Sequence, residues 1–443
     1  MTAAEALAPP ARAALVDRAL RVFSDVRAGE GGTVVLMFFN LLALFVSYYT
    51  IRTVRDAMIL ATGGAVVQSY AAAGMAVVLL GFIPLYSWFA SRVNRLKLIV
   101  GVTLFFVVNL ELFSLAFGGN ARVVALAFFV WVGIFNNATV AQFWSFANDL
   151  YRRQAGERLF PIVAIGATLG APLGSKLAEV LFKAEVRPAV MLQVGAGLLL
   201  FQVLLYALIQ AREGRRADQA VAAQAPIPPG GGFRLVFANP YLRLIALLIV
   251  ILNVVNTNGN FIFNSAVVKA ADAAAAADPS VSRVAFIGGF LGAFGFYQNI
   301  LVVLLQALVV SRIVKYFGMP GVLLALPLVS LSGNTLIAAG AGIAAIRWAK
   351  MTENATDYSV MNTGRQMLWL PSRREEKYKA KQAVDTFFVR AGDVLSAGLV
   401  FIATAAAIPA RGMALVNLVL IACWLVVIGG LLRRHRALAA QPE

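Results

Sequence analysis

Long apolar runs, separated by short polar or basic stretches, occupy most of this 443-residue chain. A helix needs about 20 consecutive apolar residues to cross the hydrocarbon core of a bilayer, and runs of this length recur from one end to the other. The pattern predicts an all-α integral membrane protein with about twelve transmembrane helices. We place these spans at 33–57, 66–90, 98–118, 123–149, 159–182, 189–211, 241–264, 285–310, 319–340, 342–368, 383–407 and 412–432.

Composition agrees with this interpretation, because 60% of the residues are hydrophobic and 13% are charged, with a mean hydropathy of +0.79. The excess of 38 Lys and Arg over 21 Asp and Glu invites a nucleic-acid hypothesis, but the basic residues concentrate in alternate loops. By the positive-inside rule this bias places both termini in the cytoplasm, and no nucleic-acid partner is expected. Six basic residues fall on the other side: Arg122, Lys183, Arg187, Lys269, Arg283 and Arg411.

The spans divide into two groups of six around a polar and then Pro/Gly-rich segment, 212–236, which reads as a flexible linker. "NATVAQFWSFANDL" (137–150) and "NATDYSVMNTGRQM" (354–367) occupy the same place in each group, which indicates a parallel duplication. This plan resembles the two-lobed major facilitator superfamily. We expect an amphipathic N-terminal segment (1–32), two six-helix lobes (33–211 and 237–433), the linker between them, and a tail (434–443).

Stripes of glycine on the fifth and eighth spans suggest close helix contacts. In major facilitator transporters these two helices meet across the lobe interface, so the resemblance implies that contact here; ordinary packing inside one lobe is the alternative. The glycines are Gly166, Gly170 and Gly174 on span five, and Gly288, Gly289, Gly292 and Gly295 on span eight.

Charged residues inside the first span are the first sign of a binding site. "YYTIRTVRDAMIL" (48–60) places Tyr48, Arg52 and Arg55 on one helical stripe with Asp56 beside it. Charges at membrane depth are costly, and two arginines with one carboxylate leave a positive excess that suits an anion. The structural alternatives are snorkelling to the interface and simple neutralisation of an arginine by Asp56.

Polar residues on other spans extend this candidate site, and together they predict a cavity ringed by spans one, four, seven and ten. Lys350, Glu353 and Asp357 follow i, i+3, i+7 spacing and can pair within their helix, whereas Arg365 has no such partner. The further candidate substrate contacts are Asn148, Asn256, Asn260, Asn362 and Arg390. The candidate gate or coupling residues are Asp56, Glu111, Asp149, Lys350, Glu353, Asp357, Asp385 and Asp393.

Signs of catalysis are lacking. The sequence has no Walker A motif, no nucleophile triad and no Cys/His cluster for a metal, so we expect neither an enzyme nor a cofactor. The lone Cys423 lies in an apolar helix and is expected to be a buried small hydrophobe.

Three stretches resemble the nucleotide translocases, the ATP/ADP antiporters of intracellular bacteria and plastids. They are "YYTIRTVRDAMIL" (48–60), "FWSFANDL" (143–150) and "YSVMNTGRQMLWLPSRREEKYKAKQAVDTFFVRAGD" (358–393). Asp149 stands where that family usually has Glu. The resemblance implies a bacterial inner-membrane transporter that exchanges nucleotides. Departures weaken that substrate assignment: the family's charged residues fall here on Asn256, Asn260, Gln366 and Asp393.

We therefore predict a monomeric secondary transporter, embedded in lipid, that exchanges nucleotides or a related phosphorylated organic anion by alternating access. Arginines from both lobes would hold the anion, and acidic pairs would act as gates. Two alternatives stay open: proton-driven transport of a smaller organic anion through Glu111 or Glu353, and a membrane binding or sensing protein without transport activity.

Overall fold

A computed structural model describes residues 15–22, 24–90, 95–117, 121–151, 153–213, 231–373 and 375–439. Every regular element in these ranges is helical, which confirms the all-α fold class. The α-helices are α1 (Leu15–Leu20), α2 (Gly31–Ala90), α3 (Arg95–Ala116), α4 (Ala121–Leu150), α5 (Arg153–Lys183), α6 (Pro188–Glu213), α7 (Gly232–Ala238), α8 (Pro240–Ala277), α9 (Arg283–Leu304), α10 (Val310–Ala338), α11 (Ile343–Thr356), α12 (Asn362–Leu368), α13 (Lys381–Ala383), α14 (Val389–Ala405) and α15 (Ala410–Ala439). Single π-helical turns join them at Leu305–Val309, Asp357–Met361, Glu376–Ala380 and Val384–Phe388.

The helix α2 reverses direction at Gly64, whose φ of 69° and ψ of −177° lie outside helical values. The side chains of Asp56 and Gln68 lie 3.5 Å apart, although 12 residues of straight helix would separate them by about 18 Å. Gly318, with a φ of 57°, interrupts α10 in the same way. Each reversal therefore separates two of the predicted spans.

Nine helical stretches of the described chain are long and apolar enough to cross a membrane. Two of them, Gly31–Ile83 and Arg283–Ala338, each contain two predicted spans. The predicted tenth span corresponds to α11, a π-helical turn and α12, and it is too polar to meet the same criterion. All twelve predicted spans thus overlap helices. The predicted N-terminal segment, linker and tail lie partly outside the described residues, which omit 1–14, 214–230 and 440–443.

The helices pack into an amino-terminal group, α2–α6, and a carboxyl-terminal group, α8–α15. We call the end of the bundle that holds Arg158, Arg212 and Lys381 the basic side, and the other end the opposite side. One hydrophobic core runs through the amino-terminal group and continues into the opposite-side half of the other group, where Phe182 and Ile287 belong to it together. The second core, around Trp424, contains only carboxyl-terminal residues. The two groups are therefore joined mainly on the opposite side.

Spans five and eight do meet across the two groups, as α5 and α9, but the glycines of α5 are not at that contact. A β-carbon on Gly170 would lie 2.9 Å from the carbonyl oxygen of Leu42 in α2, so this stripe allows close packing within the amino-terminal group. The contact with α9 uses another face of α5. There, a β-carbon on Gly292 would lie 2.6 Å from the backbone nitrogen of Glu179. The alternative of packing inside one lobe is thus correct for span five.

The prediction for Cys423 is wrong, because this side chain is exposed on the outer surface of α15. A helix at the lipid-facing periphery has only one side packed against protein, and the position of Cys423 falls on the unpacked side. An apolar sequence window cannot distinguish these two sides when lipid replaces water as the solvent.

Candidate functional site

A cavity of about 370 Å³ lies between the two helix groups. Both arms of α2, α4 and α5 line it from one group, and α8, α9, α11 and α14 line it from the other. Its ionisable lining residues are Arg52, Arg55, Asp56, Arg390 and Asp393. Seven of the sequence-predicted residues meet there: those five together with Asn256 and Asn260.

Arg55 is held tightly on the wall of this cavity. Its Nη2 lies 2.7 Å from Oδ1 of Asp56, and its Nε donates a hydrogen bond of 2.9 Å to the same oxygen. The guanidinium carbon also lies 4.3 Å from the centre of the Phe129 ring, a cation–π contact. The neutralising role of Asp56 that the sequence left as an alternative is therefore present for Arg55.

Arg52, one helical turn earlier, is less constrained. Its Nε lies 3.8 Å from Oδ2 of Asp56, beyond hydrogen-bonding distance, and its side chain is 37% exposed. The guanidinium sits 5.7 Å from the centre of the Tyr49 ring. Arg52 is consequently the cation of this helix that can turn towards a ligand at the lowest cost.

Arg390 supplies a third cation from the other group. Its Nη1 lies 3.3 Å from Oδ2 of Asp393, while Oδ1 of Asp393 accepts a hydrogen bond of 3.1 Å from Thr257. With all five ionisable lining groups charged, the cavity carries one net positive charge. The arrangement can bind an anion, but the two aspartates already satisfy part of the arginine charge.

Amide side chains form much of the remaining polar surface. Asn264 donates a hydrogen bond of 2.6 Å to Oε1 of Gln68 across the two groups, and Asn354 donates one of 2.8 Å to Oε1 of Gln298. Gln68 also donates from its Nε2 to Oδ1 of Asp56 at 3.5 Å. Because an amide NH₂ group has two N–H donors, a second donor of Gln68 remains for a ligand. Donor groups around one excess positive charge favour an oxygen-rich, negatively charged ligand.

Lys350 and Glu353 lie behind the cavity wall and are almost fully buried. The Nζ of Lys350 is 3.3 Å from Oε2 of Glu353, as the i, i+3 spacing predicts, and donates to the backbone oxygen and Oδ1 of Asn256 at 3.0 and 2.6 Å. Gly259 makes room for this lysine, since a β-carbon there would lie 3.1 Å from Nζ. Lys350 thus fixes the Asn256 amide with its Nδ2 available to the cavity.

The same buried cluster continues away from the cavity and ties five helices together. Ser330 donates to Oε1 of Glu353 at 3.1 Å, so both carboxylate oxygens have donors. A satisfied buried network of this kind rigidifies the helices that contribute to it. Hydrogen bonds of 2.6–3.1 Å then link, in order, Ser330, Asn334, Asn417, Asn258 and Ser396.

Arg365 does have a partner, contrary to the sequence expectation: its Nη2 lies 3.3 Å from Oδ1 of the buried Asp357. Eight residues of helix rise only about 12 Å, a distance that a long arginine side chain can largely span by reaching back. The π-helical turn at Asp357–Met361 also changes which residues share a face. Asp357 therefore pairs with Arg365 instead of Lys350.

The other predicted residues lie outside the cavity lining. Tyr48 packs with its ring 5.2 Å from that of Tyr49, edge to face. Glu111 lies on the peripheral helix α3, and Asp149 is half-buried near the end of α4. The polar residues of span four do not reach the cavity, which contacts α4 at Phe129. The remaining three, Asn148, Asn362 and Asp385, are exposed.

Sequence reasoning missed the contributions of the second and eighth spans. Gln68 and Ser69 on the second arm of α2, and Gln298 and Asn299 on α9, all line the cavity. The sequence did contain a signal for these residues: amide side chains inside otherwise apolar spans are costly unless they face protein or water.

Comparison with known proteins gives structural but no sequence relatives. No protein-family model and no curated protein sequence matches this chain. Its structure is similar to that of the nucleoside transporter NupG, with a TM-score of 0.65 and 12% identity over 90% of this chain and 99% of that one. A peptide transporter, POT, solved in complex with sulfate, gives a TM-score of 0.64 and 14% identity over 94% and 99%.

A bacterial homologue of the iron transporter ferroportin in an inward-facing state gives a TM-score of 0.58 and 12% identity over 89% of this chain and 98% of that one. Together with the helix arrangement, these likenesses define the class: the chain has an all-α integral membrane fold of the major facilitator type. Identities of 12–14% establish the fold alone.

Proposed function

We propose that this protein is a secondary transporter that binds a small organic anion in the central cavity and moves it by alternating access. The supporting observation is that one cavity receives Arg52 and Arg55 from one helix group and Arg390 from the other. Binding an anion between them would favour closure of the two groups around it. The likeness in fold to transporters of nucleosides, peptides and iron is consistent with a small-molecule cargo.

The cavity charge limits which anion fits. A nucleoside triphosphate brings about four negative charges, whereas the ionised lining has one net positive charge. Burying uncompensated charge is expensive. We propose a phosphorylated organic anion of lower charge, with a nucleoside monophosphate as the leading example because Tyr49 and Tyr358 offer aromatic faces for a base. ATP/ADP exchange is the second candidate and rests on the sequence resemblance.

Exchange has a physical basis in this arrangement. An empty cavity must close around three arginines and two aspartates, whereas a bound anion offsets the positive excess. The loaded protein should therefore change state faster than the empty one.

The test is uptake of radiolabelled AMP, ADP, ATP and sugar phosphates into proteoliposomes, with and without unlabelled substrate inside. We expect uptake of a low-charge phosphate that rises severalfold with internal substrate. Asp56→Asn, which adds one positive charge to the cavity, should shift preference towards the more highly charged nucleotides. No flux of any of these anions, or a rate indifferent to internal substrate, would contradict anion exchange.

Proton coupling remains a second mechanism because the Lys350–Glu353 pair contacts a cavity residue, Asn256. Glu111 does not reach the cavity. If protons drive transport, an imposed pH gradient should accelerate uptake in the wild type, and Glu353→Gln should remove that acceleration while substrate binding persists.

A further inference from the structure

A second and larger cavity, of about 590 Å³, lies on the opposite side within the carboxyl-terminal helix group. Helices α8, α10, α11 and α15 form it. Its wall is apolar, with Ile262, Ile337, Ile343 and Ile346, and its cationic lining residues are Lys269 and Arg411. It shares no lining residue with the central cavity.

The two cations are unusual for this side of the protein. The positive-inside rule works against basic residues here, and the sequence places only six in these loops. Two of those six are used in ion pairs: Lys183 with Glu179 at 2.6 Å and Arg283 with Asp272 at 2.6 Å. Among the described residues, no carboxylate forms an ion pair with Lys269 or Arg411.

The backbone holds Arg411 in place. Gly340 has a φ of +94°, a conformation that side chains rarely adopt, and the guanidinium of Arg411 lies directly against it. A β-carbon at this position would overlap the guanidinium. The absence of a side chain at Gly340 thus leaves room for the guanidinium of Arg411 at the rim of the cavity, where this residue is exposed.

An exposed tryptophan indicates the depth of the cavity in the membrane. Trp348, on the α11 helix that also supplies Ile343 and Ile346, is 62% exposed on the outer surface. Tryptophan concentrates at the level of lipid headgroups. A ligand here would meet two cations at headgroup level and an apolar wall beside them.

We propose that this cavity binds an anionic phospholipid, with its phosphate between Lys269 and Arg411 and an acyl chain along the isoleucine wall. Basic pockets between transmembrane helices on the cytoplasmic side bind anionic headgroups, and two cations beside an apolar wall offer the same chemistry on this side. A free phosphate ion would contact the two cations but not the apolar wall. The apolar wall therefore favours a phospholipid over free phosphate as the ligand.

The test measures thermal unfolding of the purified full-length protein in detergent against added phosphatidylglycerol, phosphatidylethanolamine with the same chains, and glycerol phosphate. We compare the wild type, the double variant Lys269→Gln/Arg411→Gln, and a control, Arg122→Gln/Arg187→Gln, which removes two other cations from the same side. Phosphatidylglycerol should stabilise the wild type and the control, with an apparent affinity roughly 30-fold weaker for the cavity variant.

Equal weakening in both double variants would mean general surface charge and would overturn the proposal. Stabilisation by glycerol phosphate as strong as that by the lipid would also overturn it. If the cavity variant does not fold, a photoactivatable phosphatidylglycerol on the wild type decides: labelling at 337–346 and 408–415 supports the site, and labelling only elsewhere refutes it.

Discussion

Arg52 and Arg55 differ in what holds them, although they lie on one stripe of the same helix. Arg55 is fixed by Asp56 and by the ring of Phe129, whereas Arg52 is more exposed and has only a distant carboxylate. Removing Arg55 should destabilise the fold, because it leaves the charge of Asp56 in a poor environment. The exposed cation is the better candidate for direct ligand contact.

Separate phenotypes are therefore expected for the two arginines. Arg52→Gln should weaken anion binding by about 10- to 100-fold, the loss of one hydrogen bond to a charged group, with little change in unfolding temperature. Arg55→Gln should lower the free energy of unfolding by about 3 kcal/mol, because Asp56 loses its partner. Binding by titration calorimetry and thermal unfolding on the same preparations check this. Identical effects of the two substitutions would contradict the distinction.

At the scale of helices, the sequence predicted position much better than orientation. Apolar run length placed the spans, and the predicted Asn256 and Asn260 of span seven line the cavity. The sequence could not show that the glycines of α5 face α2. A G-x-x-x-G stripe indicates that another helix packs closely against it, but it does not indicate which helix. Nor could it show the pairing of Arg365 with Asp357, which depends on a π-helical turn.

The Lys350–Glu353 pair provides a test of the buried network. Lys350→Met or Glu353→Gln alone should lower the free energy of unfolding by about 3–5 kcal/mol, because each leaves one buried charge unpaired. The double variant should cost less than the sum of the two, with a coupling energy of at least about 1 kcal/mol. Chemical denaturation in detergent measures all four proteins.

A control is the more exposed pair Lys379–Glu375, whose side chains are 19% and 61% exposed and whose Nζ lies 2.9 Å from Oε1. Its removal should cost no more than about 1 kcal/mol. Additive losses at Lys350 and Glu353 would show that the two charges act independently.

Helix packing across the two groups can be tested with glycines on α9. A β-carbon on Gly292 would meet backbone of α5 at 2.6 Å, whereas one on Gly289 would find only a lysine side-chain carbon at 3.7 Å. Gly292→Ala should therefore separate α5 from α9. In a Cys423→Ser background, Ser69→Cys should then react severalfold faster with an impermeant maleimide added from the opposite side than it does in the protein that keeps Gly292.

Gly289→Ala is the control for that experiment and should leave the labelling rate unchanged. Equal rates in the two glycine variants would show that the α5–α9 contact does not limit access to the cavity.

At the scale of the whole molecule, the shared hydrophobic core joins the two helix groups on the opposite side, while the second core stays within one group. Hydrogen bonds follow the same division: Gln68 pairs with Asn264, and Arg283 donates to the backbone oxygen of Ala61 at 3.0 Å. If the protein transports by alternating access, these contacts must break during each cycle.

Locking that side should consequently stop transport. In a Cys423→Ser background, Gln68→Cys/Asn264→Cys joined by a short bifunctional thiol reagent should lose uptake. Asn239→Cys/Glu376→Cys is the control, since these residues bond at 2.9 Å within one helix group. It should keep most of its uptake when cross-linked. Full uptake by the cross-linked Gln68→Cys/Asn264→Cys protein would show that transport does not require the two helix groups to separate at these residues.

The reversal at Gly64 gives the amino-terminal group a mechanical property. The two arms of α2 meet at a single residue with no loop between them. A tilt of one arm should therefore tilt the other arm as well. One arm carries Arg52 in the cavity, and the other carries Gln68, which holds Asn264. A ligand that pulls on Arg52 thereby acts on the Gln68–Asn264 hydrogen bond through a lever of about three helical turns on one side of Gly64 and about one turn on the other.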